Sequence, residues 1–171
     1  MIKTSIQRVA RVMEAACLLI AVLCLLYMVF VVGFNVLARI IFDFSDTAIN
    51  LMIPGAIEQV SYLLGIIALA ALSASMAQGM IAVDFVIGRL PSRWQSLAAR
   101  FWFVGIFAFA LVLCSLFYED MIATFARGEA TQDLRIPMFL IYGLYAVECL
   151  ALAVVALREA LTNDGQHAEL S

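Results

Sequence analysis

Apolar residues run through this chain in four long blocks, and polar residues gather between them. Four windows carry no charge or almost none: Ala15–Ala38, Gln59–Val83, Phe101–Tyr118, and Ile136–Leu157, which Glu148 alone interrupts. A helix crossing a hydrocarbon core of about 30 Å needs about 20 such residues. The pattern therefore predicts an all-α membrane protein with four spans, at roughly 15–41, 56–80, 97–122 and 136–158. These form a single membrane domain over 1–160, and residues 161–171 form a polar tail.

Two spans are expected to begin outside the bilayer. Ile2, Ile6, Val9 and Met13 recur at helical spacing with Lys3, Arg8 and Arg11 between them, which reads as an amphipathic lead-in at the headgroups. The apolar run that follows is longer than the about 7–15 residues of a signal-peptide core, so it reads as an uncleaved span. Pro91 breaks the segment before it, and Ser92 with Gln95 makes a capping box, so the third helix should start there. Arg93, Trp94, Arg100 and Trp102 then fall where arginine snorkels and tryptophan anchors. Pro137 suits the first turn of the fourth helix. The stretch Asp43–Ile57, with Pro54 and Gly55, reads as a surface loop turning into the second span. A re-entrant or surface helix is the alternative.

Composition narrows the class. Of 171 residues, 65% are hydrophobic and 13% charged, and the mean hydropathy is +1.05. Soluble domains hold roughly half their residues as apolar and about a quarter as charged. A soluble enzyme, a nucleic-acid binder and a disordered chain are all disfavoured. The net charge of −3 matters less than its distribution. Lys3, Arg8, Arg11, Arg89, Arg93, Arg100 and Arg158 flank one side, and Arg39, Arg127 and Arg135 the other, diluted by acids. The positive-inside rule then puts both termini in the cytoplasm.

Little in the sequence carries chemistry. The single histidine, His167, lies in the tail, so bis-histidine haem and common zinc sites are disfavoured. Cys17, Cys24, Cys114 and Cys149 lie in apolar stretches without C-x-x-C spacing and read as small buried hydrophobes. No cofactor is expected. Glu148, near the middle of the fourth span, admits three readings. It binds a coupling proton or ion; it is protonated or pairs with a polar group of another subunit; or it is hydrogen-bonded internally. Asn35 reads as a helix–helix hydrogen-bonding group, and Glu14 as a headgroup-facing residue. Gly65, Ala68, Ala71, Leu72, Ser75 and Gly79 form a small-residue stripe on the second span, suited either to internal packing or to docking onto a larger membrane protein.

Several local patterns together resemble one family. Asn35-Val36-Leu37-Ala38-Arg39-Ile40-Ile41-Phe42 is similar to an N-x-x-x-R-Y-x-F stretch, and Gly55-Ala56-Ile57-Glu58 to a G-A-x-E helix opening. Gln78-Gly79-Met80-Ile81-Ala82-Val83-Asp84 and Arg89-Leu90-Pro91 resemble G-H-I-x-V-D and R-L-P. Gly128-Glu129-Ala130-Thr131 with Leu134-Arg135-Ile136-Pro137 resembles G-x-x-T-x-x-L-x-I-P. The family is the small, DctQ-like membrane subunit of tripartite ATP-independent periplasmic (TRAP) transporters. Met80 and Ile40 depart from its usual His and Tyr, and Glu148 has no place in its pattern.

The resemblance implies a non-enzymatic accessory subunit of the bacterial inner membrane. It would brace a large multi-helix permease during ion-driven, usually sodium-driven, uptake of organic acids delivered by a periplasmic solute-binding protein. Membrane lipids would be its other partners. Contact or fold-setting positions are then expected at Arg39, Glu58, Thr131 and Pro137 on the outer side. Gly79, Asp84, Arg89 and Pro91 are their counterparts on the inner side, with Glu148 between. An Arg39–Glu58 ion pair is expected near the outer boundary. The competing reading is a self-sufficient homodimeric transporter that uses Glu148 or Glu14 as a proton-coupled carboxylate.

Overall fold

The computed structural model describes residues 2–45, 51–76 and 92–162. Four helices occur among them: α1 (Ile2–Phe44), α2 (Ala56–Ser75), α3 (Ser92–Arg127) and α4 (Met138–Thr162). Each is long and apolar enough to cross a membrane. The lead-in and the first span are one continuous helix of 43 residues, about 64 Å at 1.5 Å per residue. That is about twice the hydrocarbon thickness of a bilayer. α3 starts at Ser92, well before its uncharged part, and runs to Arg127, about a turn past the expected end. α1 reaches Phe44, so the start of the expected loop is still helical. No separate helix occurs among the described residues between Ser45 and Gly55.

The helices are layered around α4. It packs against α1, α2 and α3; α1 also packs on α2, and α3 touches neither α1 nor α2 as a helix. The α4 sequence explains this. Ala146, Cys149, Ala151, Leu152, Ala153, Val155 and Ala156 are all buried. Small side chains recurring on so much of its surface let neighbouring helices approach closely from more than one direction. On one side Phe103 and Ala110 of α3 meet Leu152, Val155 and Ala156, with Met76 just past α2. On another, Cys17 and Ala21 of α1 and Ala70 of α2 meet Ala151. Inside a bilayer these contacts stabilise by close packing rather than by removal from water.

The ends of α3 and α2 are set by backbone chemistry. Gly128 follows α3 at φ 64°. Its N–H donates to Phe125 O (3.2 Å), and that of Glu129 to Thr124 O (3.1 Å), which is the paired bonding of a Schellman stop. Gly55, at φ 67°, directly precedes α2.

Candidate functional site

The most heavily bonded polar feature lies where the start of α2 meets the α3–α4 connection. After Gly128 the chain forms a narrow antiparallel turn, with Ala130 bridged to Pro137. Thr131 N–H donates to Ile136 O (2.9 Å), and Met138 N–H to Glu129 O (3.0 Å). The Thr131 hydroxyl accepts from Ile136 N–H at 2.9 Å. Arg135 takes the left-handed φ of 53° needed to close the turn. The tip, residues 132–134, presents its N–H groups in one direction. Glu58, in the first turn of α2, receives them. Oε1 accepts from Gln132 N–H at 2.7 Å, and Oε2 from Asp133 at 3.0 Å and Leu134 at 3.3 Å. A carboxylate near a helix N-terminus is also favoured by the helix dipole.

Gly55 lets the turn come this close. A Cβ there would lie 3.0 Å from Asp133 Cβ and 3.0 Å from Leu134 Cγ. The G-A-x-E opening of α2 is thus one unit with the turn it grips: the glycine makes room and the glutamate binds. Thr131 is buried at 4% exposure and Pro137 sits immediately before α4, so both serve this turn. Beside it Tyr27, Gln59, Tyr62, Leu134 and Ile136 line a largely apolar groove of ≈ 420 Å³.

This arrangement corrects two expectations. Glu58 does not pair with Arg39; both its oxygens are taken by backbone N–H groups, and Arg39 is exposed on α1. An arginine could have gripped Glu58 through its guanidinium fork, but three backbone N–H groups of the turn already occupy both oxygens. Asn35 does not bond to another helix. Its Oδ1 accepts Ile53 N–H at 2.9 Å and so fixes the segment before α2.

The opposite end of the bundle holds a link that the sequence reading missed. Arg158 of α4 meets Glu14 of α1 through two bonds of 2.7 and 2.5 Å, and also binds Glu159. The Arg158 and Glu14 side chains are only 11% and 18% exposed. Glu14 therefore faces α4, not the headgroups. Nothing local could have revealed a pair 144 positions apart.

Glu148 lies in the interior, 2% exposed, and neither carboxyl oxygen has a hydrogen-bond partner. It faces the chain's own helices rather than an outer surface. The small-residue stripe of α2 divides. Gly65 turns to α4, while Ala68, Ala71, Leu72 and Ser75 are exposed. Cys17 and Cys149 are buried as expected, but Cys24 and Cys114 only partly. Trp94, Arg100 and Trp102 are exposed along α3, and Arg93 lies in the same helix with its side chain outside the description. Gly79, Asp84, Arg89 and Pro91 lie outside the described residues.

Chemically, the Glu58 clasp is a fastening. Its carboxylate is consumed by the amides of the turn. The family model described as "Tripartite ATP-independent periplasmic transporters, DctQ component" matches residues 28–164, which include both the clasp and the Arg158 end of α4. Comparison with curated proteins and with solved structures returns no match.

Proposed function

The chain belongs to the DctQ family of tripartite ATP-independent periplasmic transporter components, and from that premise we propose that it is the small membrane subunit bracing a large permease. On this reading it lies in a bacterial inner membrane with both termini in the cytoplasm. It supports ion-driven uptake, usually sodium-driven in such systems, of organic acids handed over by a periplasmic binding protein. It contributes no catalytic group.

The observation that carries the bracing role is how much apolar helix surface the chain leaves uncovered while holding its own helices firmly. Only 17% of the α1 window and 11% of the α3 window are buried within the chain, against 56% of the α4 window. On α2 the exposed positions Ile57, Ser61, Leu64, Ala68, Leu72 and Ser75 recur every three or four residues. Such a face, with small residues among larger ones, suits close packing by a helix of the permease. The Glu58 clasp and the Glu14–Arg158 pair join the helices at opposite ends, as a rigid support requires.

The homodimeric proton-coupled reading has less support. Glu148 is enclosed, and Glu14 is engaged by Arg158. Co-expression of the tagged chain with its cognate permease, followed by purification in mild detergent, tests the proposal. A stoichiometric complex that weakens on Ala68→Phe, with the free chain still folded, is the expected result. A homogeneous homodimer that transports alone in liposomes would overturn it.

A further inference from the structure

The fold leaves one titratable group unexplained by any bracing role. Glu148 sits on α4 where α1 and α2 pack against it, 2% exposed and with both carboxyl oxygens unpartnered. A buried carboxyl can be held in two ways. As an anion it needs donors or a cation, and without them it costs far more than the neutral acid does.

The surroundings distinguish the two. From α1, Cys17 and Cys24 lie within electrostatic reach, with Glu14 acting on Cys17 from further along the helix. From α4 itself come Tyr145 and Cys149. The Tyr145 hydroxyl already donates to Tyr62 O at 2.9 Å. From α2 comes Ser73, fully buried against Cys17, and its hydroxyl already donates to Leu69 O at 3.0 Å. α3 brings Cys114, beside Cys149, whose thiol is directed at Ala146 O. Among the described residues the nearest cation along α4 is Arg158, ten positions on, or about 15 Å. It is engaged by Glu14 and Glu159. Among the described residues strong donors are thus absent or spent. Ser73 is itself engaged by Leu69 O and Cys17, so no described group stands ready to hold an anion at Glu148.

We propose that Glu148 is an internal proton-binding site, its carboxyl carried in the folded chain as the neutral acid. Removing that proton places an uncompensated charge at the seam between α4 and the α1–α2 pair, and the seam loosens. The proton is the ligand, and packing of these helices is what it controls. The inference does not depend on the transporter assignment, because it concerns helices within this chain.

The sign follows from proton linkage. An unfolded chain releases the Glu148 proton near the ordinary glutamate value of about 4.3, and the folded chain retains it. Stability is then greatest at acid pH and falls as pH rises above that value. The change is up to about tenfold in the unfolding constant per pH unit while the folded chain stays protonated.

Infrared spectroscopy of the full chain in lipid nanodiscs reads the acid directly. At neutral pH the wild type should show a carboxylic-acid C=O band that Glu148→Gln lacks. Absence of any band lost in Glu148→Gln would overturn the proposal. Unfolding in detergent gives an independent readout. Glu148→Gln should match the wild type at acid pH and exceed it increasingly toward alkaline pH. Parallel profiles would also overturn the proposal. Should Gln misfold, Glu148→Met, of similar volume and without charge, should flatten the same profile.

Discussion

Gly65 of α2 lies directly beneath the ring of Tyr145 of α4. A Cβ at position 65 would stand 2.5 Å from the tyrosine hydroxyl and 2.8 Å from the carbon that bears it. The missing side chain is what lets that hydroxyl reach Tyr62 O at 2.9 Å. The ring also packs at 5.2 Å against Phe117 of α3, so one residue ties three helices. Gly65→Ala should push the ring away and lower stability by about 1–3 kcal/mol, the usual range for overpacking a filled site. Tyr145→Phe keeps the ring and removes only the hydrogen bond, at about 0.5–1.5 kcal/mol. Thermal unfolding of the two variants in detergent should rank them in that order.

Glu58 is expected to matter for order rather than chemistry. Glu58→Ala leaves the amides of 132, 133 and 134 without their acceptor. Glu58→Gln keeps one oxygen but turns an NH2 group toward donors, so it should rescue only partly. Hydrogen exchange at those three amides should be fastest in Ala, intermediate in Gln and slowest in the wild type. Unchanged exchange in both variants would show that the turn holds itself.

The Glu14–Arg158 contact is partly enclosed, which limits screening by salt. A double-mutant cycle with Glu14→Gln and Arg158→Leu should give a coupling of about 1.5–3 kcal/mol, the range for hydrogen bonds to charged groups. Because Glu159 also binds Arg158, Glu14→Gln should cost less than Arg158→Leu. A coupling near zero, or one abolished by moderate salt, would place the pair among exposed ion pairs of little worth.

Two glycines should respond in opposite ways. Gly55 combines φ 67° with a Cβ position 3.0 Å from the turn, so Gly55→Ala should cost about 1–2 kcal/mol and disturb the clasp. Gly33 lies inside α1 with nothing within 4 Å of its Cβ position. Gly33→Ala should stabilise the free chain by up to about 1 kcal/mol through helix propensity. Loss of the permease complex from a stabilised Gly33→Ala chain would mark that part of α1 as a docking surface.

Much of this architecture was legible residue by residue. Length and hydropathy give four helices long and apolar enough to cross, because a bilayer tolerates an unpaired backbone so poorly that an apolar stretch of this length has little choice but to be helical. Ser92 and Pro137 act within a turn of themselves, so the helix starts beside them could be read locally, whereas α3 runs to Arg127, past the expected end. Gly55 and Glu58 were recognisable as a motif, but not for what they grip. The clasp depends on a turn more than 70 residues away, and a carboxylate near Arg39 suggests an ion pair when only the sequence is in view. The sequence by itself determined the helical class, the number of helices long and apolar enough to span, and the placing of charge at their ends, because these follow from local hydrophobicity and backbone hydrogen bonding. Only the tertiary structure decided that α4 is central, that Glu14 meets Arg158 and that Glu148 lies enclosed without a partner. Those facts are set by which helix faces meet, and helix pairing in a bilayer turns on shape and a few directed bonds between residues distant in the chain.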